Sequence, residues 1–207
     1  MIIAVDGPSA AGKGTLARGL AQHFGYHFLD TGALYRMVGL KMLRAGADFS
    51  EAVRAAQIAQ ELDVNEFEDA DLRTEAVGAA ASRVAVIPEV RSALLQFQRE
   101  FAKREPGAVL DGRDIGTVIC PHADFKFFVT ASAKARSLRR FKELLGLGIP
   151  VTLEGVTADI IARDARDASR ATAPTKAADD AIVVDTTLMT AAEALKFALA
   201  AIETSTK

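Results

Sequence analysis

The stretch Gly7-Pro8-Ser9-Ala10-Ala11-Gly12-Lys13-Gly14-Thr15 decides the fold of this chain. It directly follows a short apolar run at residues 2–5 and precedes a helical pattern of apolar residues that begins at Leu16. A glycine-rich turn between a buried strand and a helix directs backbone N–H groups to one point, where the helix dipole also favours negative charge. The stretch therefore predicts a phosphate-binding loop, in which Lys13 supplies a positive charge for the outer phosphates. The alternative is an ordinary turn rich in glycine and alanine.

One position departs from the commonest form of such a P-loop. Gly14 stands where a serine or threonine usually follows the lysine and ligates magnesium, and the hydroxyl comes one residue later, at Thr15. Magnesium would then be held by phosphates, by water and by a carboxylate elsewhere. Asp111, at the end of an apolar run, is the leading candidate for that carboxylate, acting through water. Its alternative role is to form a turn before Gly112.

The composition excludes several classes of function. The chain has 207 residues, half of them hydrophobic, and a formal net charge of −2, which argues against a nucleic-acid polymer as ligand. Cys120 is the only cysteine, so no intramolecular disulfide can form. The sequence contains no apolar stretch approaching the roughly 20 residues of a membrane span. We expect a cytoplasmic monomer that does not contact a membrane.

The apolar runs predict an α/β fold with five strands. Runs at residues 27–29, 108–110, 125–129 and 181–184 join the strand before the loop, and helical stretches separate them. This alternation predicts parallel strands with crossover helices, and ligands bind beyond the carboxyl ends of such strands. Three aspartates, Asp6, Asp30 and Asp111, stand at such ends.

The spacing of the runs also predicts a domain organisation. Residues 1–31, 107–135 and 171–207 form the core, residues 32–106 form a helical insertion, and residues 136–170 form a lid. The helices of the insertion are predicted at residues 33–45, 50–62, 72–84 and 89–104. Those of the lid and the C-terminal part are predicted at residues 135–145, 153–166 and 191–202. Residues 66–71 are predicted to be a solvated acidic linker.

Arginines follow three of the predicted strands and also cluster at residues 163–170. They are Arg36, Arg113, Arg136, Arg139, Arg140, Arg163, Arg166 and Arg170. Arginine binds phosphate in a bidentate fork, and phosphoryl transfer between two anionic ligands needs several such groups to cancel their repulsion. The clusters therefore predict a second phosphate site facing the loop. For any one arginine the alternative is a solvated helix face, and the sequence does not decide between Arg139 and Arg140 as the phosphate ligand.

Several longer motifs occur in order along nearly the whole chain. They are residues 7–15, Leu29-Asp-Thr-Gly-Ala-Leu-Tyr-Arg36, Val90-Arg91, Leu110-Asp-Gly-Arg-Asp-Ile-Gly-Thr117, Arg163-Asp-Ala-Arg-Asp-Ala-Ser-Arg170 and Asp185-Thr-Thr187. Together they resemble the bacterial cytidylate kinases. The resemblance implies a three-layer, P-loop NTPase-like fold with a five-stranded parallel sheet, a helical monophosphate-binding insertion and a lid. It also implies ATP with Mg²⁺ as phosphoryl donor and CMP and dCMP as acceptors.

The resemblance also implies a role for each matching residue. The ATP phosphates would be bound by Gly7, Pro8, Ser9, Ala10, Ala11, Gly12, Lys13, Gly14 and Thr15. The acceptor phosphate would be bound by Arg36, Arg113 and Arg170, with Thr31 nearby. The base would be recognised by Ser82, Arg91 and Asp114, and the sugar by Arg163 and Asp167. The catalytic charges would come from Lys13, Arg113, Arg136 and Arg140.

Other functions remain open on the residues alone. Another kinase of the same architecture would act on AMP, UMP or a small molecule that is not a nucleotide. A nucleotide-dependent switch would need only the loop and a partner surface, without a second arginine-lined phosphate site.

The segment at residues 65–71 is shorter than in many members of the family, where a small β-strand insert stands.

Overall fold

A computed structural model describes residues 1–72, 74–170 and 173–205. Two compact units divide the chain: Met1–Leu29 with Arg104–Lys207, and Asp30–Lys103. Arg73, within the helix predicted at residues 72–84, lies outside the described residues. So do four residues of the predicted core range 171–207: Ala171, Thr172, Thr206 and Lys207.

A five-stranded parallel sheet forms the centre of the first unit and confirms the predicted fold class. Its strands are β1 (Ile2–Asp6), β2 (His27–Asp30), β3 (Ala108–Gly112), β4 (Phe125–Thr130) and β5 (Ile182–Asp185). They lie in the order β2-β3-β1-β4-β5, which places the loop strand β1 in the middle. In the ladder, Val5 lies opposite both Asp111 and Phe127.

Every strand ends at a polar residue or glycine, one or two positions beyond the predicted apolar run. The ladder continues to the pair of Asp6 with Gly112, because backbone pairing does not require an apolar side chain. The strand order brings the carboxyl ends of β1 and β3 side by side. Asp6 and Asp111 therefore lie at the same edge of the sheet.

Long α-helices flank the sheet in the described part of this unit. They are α1 (Lys13–Phe24), α7 (Ala133–Gly146), α8 (Leu153–Ala168) and α9 (Ala191–Ser205). Helices α1 and α9 pack together and bury an apolar face with the sheet. The core of this layer includes Ile3, Val5, Leu16, Leu20, Phe127, Val129, Ala194 and Ala198. A smaller cluster of Leu144, Val156 and Ile160 joins α7 to α8.

A five-residue π-helical turn, Ile115–Ile119, follows β3 and was not predicted. Ile115 and Ile119 are buried, so the turn is fixed by packing. Its sequence, Ile-Gly-Thr-Val-Ile, is rich in β-branched residues and gives no helical signal.

The second unit is helical. Its helices are α2 (Thr31–Arg44), α3 (Ala52–Gln60), α4 (Asp69–Leu72), α5 (Glu75–Val84) and α6 (Pro88–Ala102). Asp30 begins α2 by accepting a hydrogen bond from the Ala33 amide at 3.2 Å, and Thr74 begins α5 in the same way. The unit has its own core, which includes Leu34, Val38, Met42, Val84, Val90 and Leu94.

The acidic segment differs from the solvated linker that the sequence predicts. A 3-10 turn at Val64–Glu66 and the short helix α4 replace the loop. Glu66 pairs with Lys41 at 2.7 Å, and Asp71 pairs with Arg44 at 2.8 Å. These carboxylates attach the segment to α2, whose lysine and arginine supply the complementary charge. Because the pairs are partly exposed, each stabilises the unit by at most about 1 kcal/mol.

Among the described residues, no helix combines the length and apolar character that crossing a membrane requires.

Candidate active site

The loop between β1 and α1 has a backbone that few residue types can adopt. Gly7 has a φ of +147°, and a side chain there would collide with the Val129 carbonyl, 2.0 Å from the Cβ position. Gly12 has a φ of +91° and Ala10 a φ of +59°. The left-handed conformation costs an alanine roughly 1–2 kcal/mol, and such strain concentrates at functional sites. The loop is therefore held in a specific shape by its surroundings.

The start of α1 is suited to binding an anion. Gly12 is the N-cap residue, and no side chain among the described residues caps it through a hydrogen bond. The first turn, Lys13-Gly14-Thr15, contains no acidic residue. The first amides of the helix, the helix dipole and the Lys13 ammonium group all favour a phosphate at this position.

Two carbonyl oxygens of the loop are held by side chains from elsewhere in the unit. Arg136 donates from Nη1 to the Ser9 carbonyl at 3.3 Å, and Thr186 donates from Oγ1 to the Ala11 carbonyl at 2.7 Å. Both side chains are buried. No role is predicted for Thr186 from the sequence, although it belongs to the Asp185-Thr-Thr187 motif and directly follows a strand end.

Arg136, a predicted catalytic residue, lies deep against the loop. Its guanidinium forms a bidentate pair with Asp164 of α8, at 3.1 and 2.6 Å, and Nε donates to the Ala131 carbonyl at 2.9 Å. The other two arginines of α7 differ from each other. Arg139 donates to Thr186 through both Nη atoms, whereas Arg140 pairs with Glu143 at 3.0 Å on the helix surface.

The carboxylate of Asp111 stands beside the loop lysine. Lys13 Nζ lies 3.6 Å from Asp111 Oδ1, and Asp111 is buried. A Cβ atom at Gly14 would lie 3.0 Å from Asp111 Oδ2. The space that the usual loop hydroxyl would occupy is thus already bordered by this carboxylate.

These residues fit a magnesium ion that a phosphorylated ligand brings with it. The described residues contain no cluster of three or more histidine, cysteine, aspartate or glutamate residues that could hold a metal alone. Magnesium is often bound through one or two carboxylates and substrate phosphates, with water completing its shell. Asp111 provides one such carboxylate at the loop.

Asp6 is a second buried carboxylate at this edge of the sheet. Its two oxygens accept hydrogen bonds from the Ile115 and Gly116 amides, both at 2.8 Å. Burial raises the pKa of Asp6 to about 7, since the two amide bonds lower it by less than burial raises it and the charges of Asp114 and Asp111 raise it further. Asp6 therefore fastens the turn after β3 to the strand that leads into the loop.

The raised pKa of Asp6 predicts a pH dependence of stability. Because the folded pKa lies above the ordinary value of 3.8, folding takes up a proton between these two values. The stabilising contribution of Asp6 to the free energy of unfolding is therefore fully present below pH 3.8 and is lost as the pH rises through about 7. We expect the Asp6→Asn variant to lose this part of the slope, by up to about 1.4 kcal/mol per pH unit. Urea unfolding between pH 5 and 8 measures the slope.

Asp179→Asn, which removes an exposed carboxylate, controls for the change in net charge. An Asp6→Asn variant with the same slope as the wild-type chain would contradict the prediction.

Three predicted substrate-binding arginines surround one carboxylate. Arg113 donates from Nε to Asp167 Oδ2 at 3.1 Å, Arg170 donates to Asp167 Oδ1, and Arg163 Nε lies 4.0 Å from Oδ2. Burial raises the pKa of Asp167, but the three arginines outweigh it and hold the pKa below its ordinary value. Asp167 therefore stays ionised and holds the guanidinium groups together.

The remaining candidate residues lie in different units. The helical unit contains Thr31, Arg36, Ser82 and Arg91, and the sheet unit contains Asp114. Arg36 donates to the Leu72 carbonyl at 3.0 Å, and Ser82 donates to the Gly78 carbonyl at 3.3 Å. Arg91 lies with its guanidinium 5.8 Å from the centre of the Tyr35 ring. Except for Arg36, which is half-buried, all of these candidates are buried.

The sheet, the loop and its uncapped helix define an α/β protein of the P-loop class. A family model described as cytidylate kinase matches residues 3–204. The chain belongs to the cytidylate kinase family and is a phosphotransferase.

Individual relatives agree with this assignment. A cytidylate kinase of Methylocella silvestris is 55% identical over 205 residues, which cover 99% of this chain and 95% of that protein. A cytidylate kinase of Rhodopseudomonas palustris is 54% identical over 185 residues, covering 89% and 87%. The crystal structure of an uncharacterized protein from Eubacterium ventriosum is similar with a TM-score of 0.57, at 11% identity over 98% of each chain, which shows the fold alone.

Proposed function

We propose that this chain transfers the γ-phosphoryl group of ATP, bound with Mg²⁺, to the 5′-phosphate of CMP and dCMP. The observation that carries the proposal is the loop at an uncapped helix start, in a chain more than half identical over nearly its full length to a cytidylate kinase. An oxygen of the acceptor phosphate attacks the γ-phosphorus and the bond to the β-phosphate oxygen breaks, which gives ADP and CDP or dCDP.

The chemistry needs charge and position rather than a general base. The acceptor phosphate is already anionic at neutral pH, so no proton has to be removed before it attacks. Catalysis then consists of aligning two anions and neutralising the charge of the transferring group. Lys13 supplies that charge at the donor end. When bound, Mg²⁺ would neutralise phosphate charge beside Asp111.

The arginines around Asp167 suit the acceptor phosphate. Arg113 and Arg170 are held on opposite oxygens of one carboxylate, so their planes are fixed before a ligand arrives. A pre-organised pair of guanidinium groups binds a phosphate with little loss of side-chain entropy. By family resemblance Arg36 contributes to the same ligand, and Arg163 with Asp167 bind its sugar.

The base-recognising residues match the edge of cytosine. Cytosine presents one amino donor beside two acceptors. Asp114 and Ser82 can accept from the amino group, and Arg91 can donate to the ring nitrogen and carbonyl. Uracil presents a ring N–H and a carbonyl instead, which would leave buried polar groups without partners. Sites of this kind discriminate strongly between analogues.

The proposal is tested by measuring ADP release with CMP, dCMP, UMP and AMP as acceptors. We expect CMP and dCMP to be phosphorylated with much higher kcat/KM than UMP or AMP. Preference for UMP or AMP would instead make the chain a kinase of the same architecture with another acceptor. Nucleotide binding without transfer to any monophosphate would support a switch and overturn the proposal.

The chain is further proposed to act as a monomer in the cytoplasm. The sequence has a single cysteine, Cys120, which is buried, and a chain without a disulfide is typical of a reducing compartment. Light scattering of the purified protein at working concentration measures its molar mass and so tests whether it is a monomer.

A further inference from the structure

A buried threonine connects β5 to the phosphate-binding loop. Thr186 directly follows β5, and its backbone amide donates to the Thr130 carbonyl at 2.8 Å. Its Oγ1 donates to the Ala11 carbonyl at 2.7 Å and lies 3.2 Å from the Thr130 carbonyl. The hydroxyl therefore joins the end of the sheet to the loop through a side chain that is 4% exposed.

Arg139 fixes this threonine from the other side. Its Nη1 donates to Thr186 Oγ1 at 2.9 Å and its Nη2 donates to the Thr186 carbonyl at 2.5 Å. A hydroxyl has one proton to donate. With Arg139 donating to Oγ1, that proton goes to a carbonyl, and the Ala11 carbonyl at 2.7 Å is closer than the Thr130 carbonyl at 3.2 Å. The arginine thus holds Thr186 where its hydroxyl reaches the Ala11 carbonyl.

The peptide plane transmits this contact to the ligand side of the loop. The Ala11 carbonyl and the Gly12 N–H belong to one planar peptide unit and point in opposite directions. Gly12, with a φ of +91°, tolerates either orientation of that unit better than any other residue type would. A side chain that holds the carbonyl therefore decides where the Gly12 N–H points.

Arg136 acts in the same way two peptide units earlier. It donates to the Ser9 carbonyl at 3.3 Å, whose peptide partner is the N–H of Ala10, the alanine in the left-handed conformation. Arg136 and Arg139 are one helical turn apart on α7. One helix therefore supports two peptide units of the loop, Ser9–Ala10 directly and Ala11–Gly12 through Thr186.

We propose that Thr186, oriented by Arg139, is a positioning residue for the donor nucleotide: it fixes the Ala11–Gly12 peptide so that the Gly12 N–H faces the phosphate. This inference rests on the proposed function of the loop as the donor site. It assigns Arg139 to support of the loop through Thr186 rather than to direct contact with phosphate.

The test compares binding of ADP, used as the probe, by isothermal titration calorimetry. Thr186→Val keeps the shape of the side chain but removes the hydroxyl. We expect it to weaken ADP binding about 10-fold or more, as loss of an aligned N–H to a charged phosphate implies. The KM for ATP should rise similarly, while the KM for CMP stays within about 2-fold, since no acceptor contact changes. Thr186→Ser keeps the hydroxyl and should restore ADP binding.

Two further variants separate positioning from stability. Thr190→Val makes the same substitution four residues later, where the hydroxyl caps α9 with Glu193 and does not contact the loop. We expect it to lower thermal stability without changing ADP binding. As a single substitution, Arg139→Met should weaken ADP binding. In a protein that already carries Thr186→Val it should weaken ADP binding little further, because the arginine acts through the threonine.

The outcomes distinguish the inference from the function on which it rests. Wild-type protein that binds ADP, together with Thr186→Val binding it within 2-fold, would overturn the positioning role and leave the donor site intact. A full additional effect of Arg139→Met in the Thr186→Val background would overturn the relay. Wild-type protein that fails to bind ADP would overturn the inference and the proposed function together.

Discussion

The Lys13→Ala variant is expected to lose turnover by about 10²–10³-fold, the usual cost of removing one charge-stabilising donor from a reacting centre. Lys13 begins α1 beside the amides that we propose to bind the donor phosphates. The loss should appear in kcat, because the lysine stabilises charge that develops during transfer. ADP release at saturating ATP and CMP measures it.

The fold is expected to survive this change. Lys13 pairs with Asp111 at 3.6 Å, and removing the lysine leaves that carboxylate without this charge partner. Thermal unfolding of the variant shows whether it is still folded, so that unfolding does not explain the loss of activity. Lys134→Ala, which removes an exposed lysine at the start of α7, is the matched control and should retain activity. Near-normal turnover by Lys13→Ala would contradict the donor-site assignment.

The Asp167→Asn variant is expected to lose both stability and affinity for the acceptor. One buried carboxylate binds Arg113 and Arg170 and lies near Arg163, so its removal leaves three positive charges close together. Loss of one partner from such a buried pair costs about 3–5 kcal/mol. The unfolding free energy at pH 7 should fall by that order, and the KM for CMP should rise because the arginines lose their fixed positions.

The pH dependence gives this prediction a second measurement. The pKa of Asp167 is held below its ordinary value, so its contribution is present above about pH 4 and is lost as the pH falls through the folded pKa. The difference in stability between wild-type protein and Asp167→Asn should therefore narrow in acid. Asp159→Asn removes an exposed carboxylate from the same helix, and its stability should not differ in this way from that of the wild-type protein. A gap that stays constant in acid would contradict the ionised, arginine-bound state of Asp167.

The parts of the structure set by local pattern could be predicted from the sequence. The five strands and the loop were found because each apolar run ends at a polar residue or glycine and the loop follows the first run directly. The helical spacing of Arg163 and Asp167 also places both residues on one face of α8, and Arg170 lies two residues beyond the end of that helix. The third strong contact of Asp167, with Arg113, could not be predicted, because 54 positions separate the two residues.

The contacts that sequence reasoning missed share this cause. The bidentate pair of Arg136 with Asp164 and the hydrogen bond of Thr186 with the Ala11 carbonyl join residues far apart in the chain. An arginine behind a strand indicates positive charge there, but only the fold decides whether that charge meets a ligand, a carboxylate or a carbonyl. The acidic segment before α5 illustrates the same limit, since its partners Lys41 and Arg44 lie on another helix.

The close approach of Gly14 to Asp111 restricts how this loop can change. A Cβ atom at position 14 would lie 3.0 Å from Asp111 Oδ2, so a serine introduced there would require this buried carboxylate to shift by a few tenths of an ångström. The hydroxyl of the commoner loop therefore cannot be added at position 14 without changing the surroundings of Asp111, the carboxylate that we propose for the metal.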